Sequence, residues 1–176
     1  MLAAKTLSAI DEFNARSARE QWHALCDERL VFDSPKLADL RNIWKTVCGD
    51  REMPKRENFT ARILGRHLQN LTFVERLEEN SRRRYRFRLF GSALARYIGD
   101  STGKYLEEVV PKMFIASWFA TYDLVVETRR PLRFVARFRA AHLEHVVAET
   151  LVAPLAGEST KPWGLLVSVI YSPVVV

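Results

Sequence analysis

The stretch SRRRYRFRLFG, residues 81–91, alternates basic and apolar side chains. Arg84, Arg86 and Arg88 hold one parity, while Tyr85, Phe87 and Leu89 hold the other. A period of two sends successive side chains to opposite faces of a strand, so the pattern predicts a strand with one wet and one buried face. Two uses fit such a strand: a basic surface for nucleic acid, or the solvated side of an ordinary sheet.

Just upstream, LTFVERLEE (residues 71–79) is a second strand pattern, and the turn-like ENSR between them predicts an antiparallel hairpin. Three more strands are read near the C-terminus, in LRFVARFRAAH, EHVVAETLVAPLA and WGLLVSVIYS. In the first of these, Phe134, Ala136 and Phe138 alternate with Arg133, Val135, Arg137 and Arg139. Between the two groups, KMFIASWFATYDLVVET carries Ile115, Trp118, Phe119, Tyr122 and Val126 on one helical face, and Pro131 ends it. Short helical pieces fill residues 92–111, punctuated by Gly99 and Gly103.

Ahead of the hairpin, SPKLADLRNIWKTVCG predicts a helix over about 35–48, with Ser34 as N-cap, Pro35 in the first turn and Gly49 just past the end. Its stripe of Leu37, Leu40, Trp44 and Val47 needs cover, either from this chain's sheet or from a second copy; these four are the candidate partner-binding residues, and a homodimer is expected. Residues 1–30 are read as loosely patterned helix, so residues 1–34 form an extension and 35–176 one domain. The fold class is α+β: a five-stranded antiparallel sheet with helices on one face, preceded by N-terminal helices.

The 176 residues carry a net charge of +6, a pI near 9.6 and 48% hydrophobic residues, the balance of a folded globular chain. Cys26 and Cys48, the two cysteines, have neither zinc spacing nor the number for a disulfide framework, which suggests a reducing compartment. The longest apolar run, WGLLVSVIYSPVVV, is too short to span a bilayer, so a cytoplasmic location away from the membrane is expected.

Several words in the sequence resemble the PAS superfamily, and more closely a bacterial family of small PAS-like proteins with a helix ahead of the core. They are Leu40 and Trp44 on the leading helix, Gly49, Arg51, Met53, Pro54 and Arg56 in GDREMPKR, YRFRLFG, DSTG at 100–103, ETRRPL at 127–132 and APL at 153–155. One departure is Ile98, where the family has glycine two positions before the aspartate. The resemblance implies a pocket between the sheet and the long helix, and a non-enzymatic sensory or adaptor role in signal transduction, with a small-molecule ligand, a protein partner or both.

The candidate ligand-binding residues are Phe87, Tyr97, Phe114, Ser117, Trp118, Thr121, Tyr122 and Phe138. Plain core packing is the other reading of that aromatic stripe; the hydroxyls of Tyr97, Ser117, Thr121 and Tyr122 are what could orient a ligand. No metal and no cofactor is expected. Residues 113–130 hold no histidine to bind haem, residues 91–130 hold no cysteine for flavin photochemistry, and His23, His67, His142 and His145 form no ligand pattern. Nucleophile motifs and phosphate loops are missing too, and Asp100, Glu107, Glu108 and Asp123 sit where solvated charge is the usual explanation, so a small α+β enzyme is the weaker alternative. Nucleic acid is the other: single-strand readers put aromatics on the binding face, whereas here they alternate away from the arginines, for which Glu75, Glu144 and Glu149 are available partners.

Overall fold

The computed structural model describes residues 8–138, 146–158 and 162–173, with the side chains of all but Tyr97, Ile98 and Phe138. Arg139, His142, Glu144 and His145, singled out above, lie outside the described residues, as do the side chains of Tyr97 and Phe138.

The hairpin forms as the alternation predicts. Strand β2 (Leu71–Glu79) pairs with β3 (Arg82–Phe90), and Asn80 and Ser81 join them with φ of 50° and 60°. A two-residue hairpin turn matches the strand twist when both central residues are left-handed, a region asparagine tolerates well. The alternation then breaks once. Phe73 pairs with Leu89 but Val74 pairs with Phe87, which leaves Arg88 as an extra, bulged residue. Tyr85 and Phe87 therefore share one core, whereas Leu89 crosses to the other face beside Phe73. The expectation that Leu89 follows Tyr85 and Phe87 is corrected by that single residue.

Among the described residues the sheet has six strands, all antiparallel, in the order β1-β4-β5-β6-β2-β3. The C-terminal three are β4 (Leu132–Phe138), β5 (Val146–Ala156) and β6 (Pro162–Pro173), with β2 against β6. The strand not foreseen is β1 (Ala24–Asp27), which pairs with β4 from Ala24↔Ala136 to Asp27↔Arg133. Four residues are too few to show a period, so the sequence there reads as helix. Helix α1 (Ala9–Arg19) precedes β1 and packs Ile10 and Phe13 into the core, Phe13 meeting the Phe134 ring edge-on at 5.4 Å. Residues before 35 thus supply both a strand and part of the core.

Helices cover both faces, where one was expected. On the first lie α1, α5 (Leu106–Val109) and α6 (Lys112–Thr128), with Tyr122 and Val125 of α6 over Tyr85, Val152 and Val167. On the second lie α2 (Pro35–Cys48) and α3 (Ala61–Leu64), over Phe73, Leu151, Leu155 and Leu166. The middle strands β5 and β6 bury mostly apolar side chains on both sides, as a sheet covered twice requires. Leu37 and Leu40 are fully buried and Trp44 nearly so against this sheet, with Val47 beside them; the Trp44 indole donates to Pro154 O at 3.1 Å. The stripe meets its own chain and leaves no demand for a second copy.

Both outer strands are partly occupied from within the chain. The Asn14 side chain accepts the Cys26 N–H at 2.8 Å and donates to Cys26 O at 3.1 Å, while the Ser17 hydroxyl accepts the Ala24 N–H and donates to Ala24 O. At the far side, Phe87 N–H donates to Lys104 O and Gly103 N–H to Phe87 O. Between those borders α4 (Ser92–Ile98) ends at Gly99, whose φ of 79° turns the chain before the Asp100 carboxylate accepts the Thr102 N–H.

Candidate functional site

A cavity of about 280 Å³ lies under the first half of α6, bounded by β4, β5, β6 and the corner between α1 and β1. Helical spacing puts Phe114, Ser117, Trp118 and Thr121 on the side of α6 that faces the sheet. The opposite wall is Phe134 and Ala136 of β4, Ala148 and Thr150 of β5, and Tyr171 of β6. The corner contributes Glu20, Gln21, Trp22, His23 and Ala24; Gln21 and His23 have left-handed φ of 56° and 55°, which swings Trp22 inward against Phe13. Phe134, Ala148, Thr121 and Thr150 are buried at the deep end, while Glu20, Gln21, His23, Met113 and Arg137 are exposed at the mouth.

Four of the expected ligand residues, Phe114, Ser117, Trp118 and Thr121, line this cavity. Phe87 and Tyr122 do not: Phe87 is buried against Phe90, and Tyr122 packs at steep ring angles against Tyr85 and Trp118 at centroid distances of 5.0 and 5.4 Å. Both belong to the packed core, the plain reading of their periodicity. Trp22, Thr150 and Tyr171 are among the lining residues that sequence reasoning missed. A signal for Thr150 was present, since a hydroxyl in the middle of an apolar inner strand needs a polar neighbour.

Four arginines of the opening stretch, Arg83, Arg84, Arg86 and Arg88, lie against carboxylates. Arg84 donates to Glu107 at 2.7 Å and Glu79 at 3.2 Å and stacks 3.3 Å over the Tyr105 ring; Arg86 donates twice to Glu75, and Arg88 lies 3.8 Å from it. On the second face, Arg133 donates to Glu149 at 2.6 Å and Asp33 at 3.0 Å. The buried Glu149 carboxylate also accepts the N–H groups of Asp33 and Ser34, at 2.9 and 2.8 Å, and so fixes the chain where it enters α2, while the Ser34 side chain makes no capping bond. A phosphate on these arginines would have to displace a carboxylate already there.

The carboxylates considered for catalysis have structural partners and none lines the cavity. Glu108 accepts the Tyr105 N–H, Glu107 holds Arg84, and Asp123 accepts the Tyr85 hydroxyl at 2.6 Å and a bond from Arg83. Burial pushes the Asp123 carboxyl above its usual range, with the Tyr85 hydroxyl and the Arg83 charge pulling back. His67 is buried against Asp39 at 2.8 Å, and burial pushes the Cys26 thiol up to about 12. Among the described residues no three metal-binding side chains converge, and no helix is long and apolar enough to cross a membrane.

The words that carried the resemblance have physical roles. Arg51 donates back to Cys48 O and Val47 O and ties off the end of α2; Met53 and Pro54 are buried, and Pro54 O accepts the Ala156 N–H at 2.8 Å. Arg56 lies 3.8 Å over the Phe73 ring. No curated protein and no solved structure matches the chain. A family model described as PAS domain matches residues 32–168, from just before α2 into β6, and so takes in both layers of the core. The chain belongs to the PAS domain family.

Proposed function

We infer that this chain is a non-enzymatic sensory domain that takes a small molecule into the cavity under α6 and conveys its occupancy to a separate signalling protein. PAS domains are in general sensory and signal-transduction modules rather than enzymes, which is the background to this reading. The observation that carries it is the cavity itself: apolar aromatic walls, hydroxyls on two sides and an exposed mouth, the composition of a small-molecule site. The cavity wall includes the α1–β1 corner, so a bound molecule presses on Trp22 and through it on α1, the route by which occupancy would reach a partner.

Mass spectrometry of the denatured, purified protein and thermal denaturation across a metabolite panel test the reading. A co-purified molecule, or a ligand-dependent rise in Tm that is lost in the cavity-filling variant Ser117→Trp, is the expected result. No co-purified molecule and no shift from any compound would overturn it.

A further inference from the structure

We propose that the ligand of this cavity is an uncharged molecule of one or two rings, gripped by aromatic side chains on its faces and by the hydroxyls of Thr121 and Thr150 at its edge; this rests on reading the cavity as a ligand site. Thr121 and Thr150 are each only 5% exposed, and both line the cavity from opposite walls. Among the described residues neither hydroxyl is bonded to another protein group, and neither is sealed away from the cavity. The contrast within α6 is direct: Thr128 donates to Leu124 O one turn back at 2.8 Å, whereas Thr121 makes no such bond to Ser117 O. Both hydroxyls open onto the cavity, so a molecule bound there can accept from them or donate to them in place of water.

The walls settle the rest of the chemistry. Trp118, Phe134, Phe114 and Trp22 line the cavity with aromatic rings, which favours a flat partner. The charged side chains bordering the cavity all sit at its exposed mouth. There Glu20 is already paired with Arg16 at 2.8 Å, and Arg137 is exposed to solvent. A carboxylate or ammonium carried to the deep end would lose its hydration with no counter-ion to replace it. A volume of about 280 Å³, just under the usual range for drug-sized ligands, matches one or two fused rings.

The test compares 2-naphthamide with 2-naphthoate at pH 7.5, two probes of one shape that differ in charge, by isothermal titration calorimetry on the full chain. The amide is expected to bind at least about tenfold more tightly than the carboxylate. Thr121→Val and Thr150→Val, which keep the shape and remove the hydroxyl, are each expected to weaken the amide by roughly three- to tenfold, the loss of one neutral hydrogen bond. Neither variant should lower the Tm of the free protein, which distinguishes lost recognition from lost folding. Equal or tighter binding of the carboxylate, or amide binding indifferent to both variants, would overturn this inference and leave the cavity reading standing. Binding of neither probe at millimolar concentration also overturns it, and with a blank mass-spectrometric survey overturns the cavity reading too.

Discussion

The Asn14 side chain and the Cys26 backbone are joined by a reciprocal pair of hydrogen bonds, at 2.8 and 3.1 Å, so one amide group of α1 stands in for a neighbouring strand. Asn14→Ala leaves the Cys26 N–H and C=O of β1 without that partner. The expected cost is about 1–3 kcal/mol, read as a lower midpoint in urea, together with faster hydrogen exchange at Cys26. A midpoint equal to that of the parent protein would show that water replaces the amide without loss.

Glu149 joins three elements through one carboxylate: Arg133 of β4 and the N–H groups of Asp33 and Ser34 ahead of α2. Its removal in Glu149→Ala strands a nearly buried guanidinium and two amides. Arg133 keeps Asp33 at 3.0 Å and Asp27 at 3.5 Å, so the low end of the range for a broken buried pair applies, about 3 kcal/mol by chemical denaturation. A loss below about 0.5 kcal/mol, the scale of an exposed ion pair, would contradict this role.

Asp123 gives a pH dependence of unusual sign for a carboxylate. Burial raises its pKa above the unfolded value, so in that interval the folded state holds the extra proton. Its contribution is complete below the unfolded pKa and is lost as pH rises through the folded one. Asp39, held low by His67 and Arg66, runs the other way: its contribution is present above the unfolded pKa and lost as pH falls through the folded value. The stability of the parent relative to Asp123→Asn is therefore expected to decline as pH rises through the acidic range, measured by urea titrations at a series of pH values. A difference that grows with pH would refute it.

Gly164 lies in β6 opposite Glu75 of β2, and a Cβ there would stand 2.0 Å from Val74 O. Backbone cannot move aside as a flexible side chain can. Gly164→Ala is expected to separate β2 from β6 and to yield insoluble protein or a loss of several kcal/mol, on the order of an overpacked core. Soluble protein with an unaltered Tm would show that the two strands can spread.

The paired arginines carry a prediction of their own. With Arg84, Arg86 and Arg133 each bonded to carboxylates, fluorescence anisotropy with single-stranded DNA and RNA at 150 mM salt is expected to show no saturable binding. Tight binding with a steep salt slope would put nucleic acid back among the partners.

Where a pattern ran long enough to repeat, the sequence disclosed the fold. The 17 residues of α6 and the 14 of α2 repeat their apolar spacing several times, and the hairpin shows its turn and both strands. What stayed hidden is local or relational. The bulge at Arg88 is one extra residue with no mark in the alternation, and β1 is four residues whose partner lies more than a hundred positions away. The same division holds at the cavity. Phe114, Ser117, Trp118 and Thr121 follow from the face of one helix, whereas Trp22, Thr150 and Tyr171 arrive from three separate segments that meet only through strand pairing. Phe87 and Tyr122, chosen by the same periodicity as the cavity residues, fell to the core because period alone does not separate the two depths of one face.

The Asn14 and Ser17 side chains on β1, and the backbone of residues 103–104 on β3, have a consequence for how the molecule keeps company. Extended segments of other proteins, or of a misfolded sibling, recruit through vacant amide ladders, and here part of each margin is already taken from within. A strand added at Ala24, Cys26 or Phe87 would first have to displace those internal bonds, which works against fibrous stacking when the domain is crowded in solution.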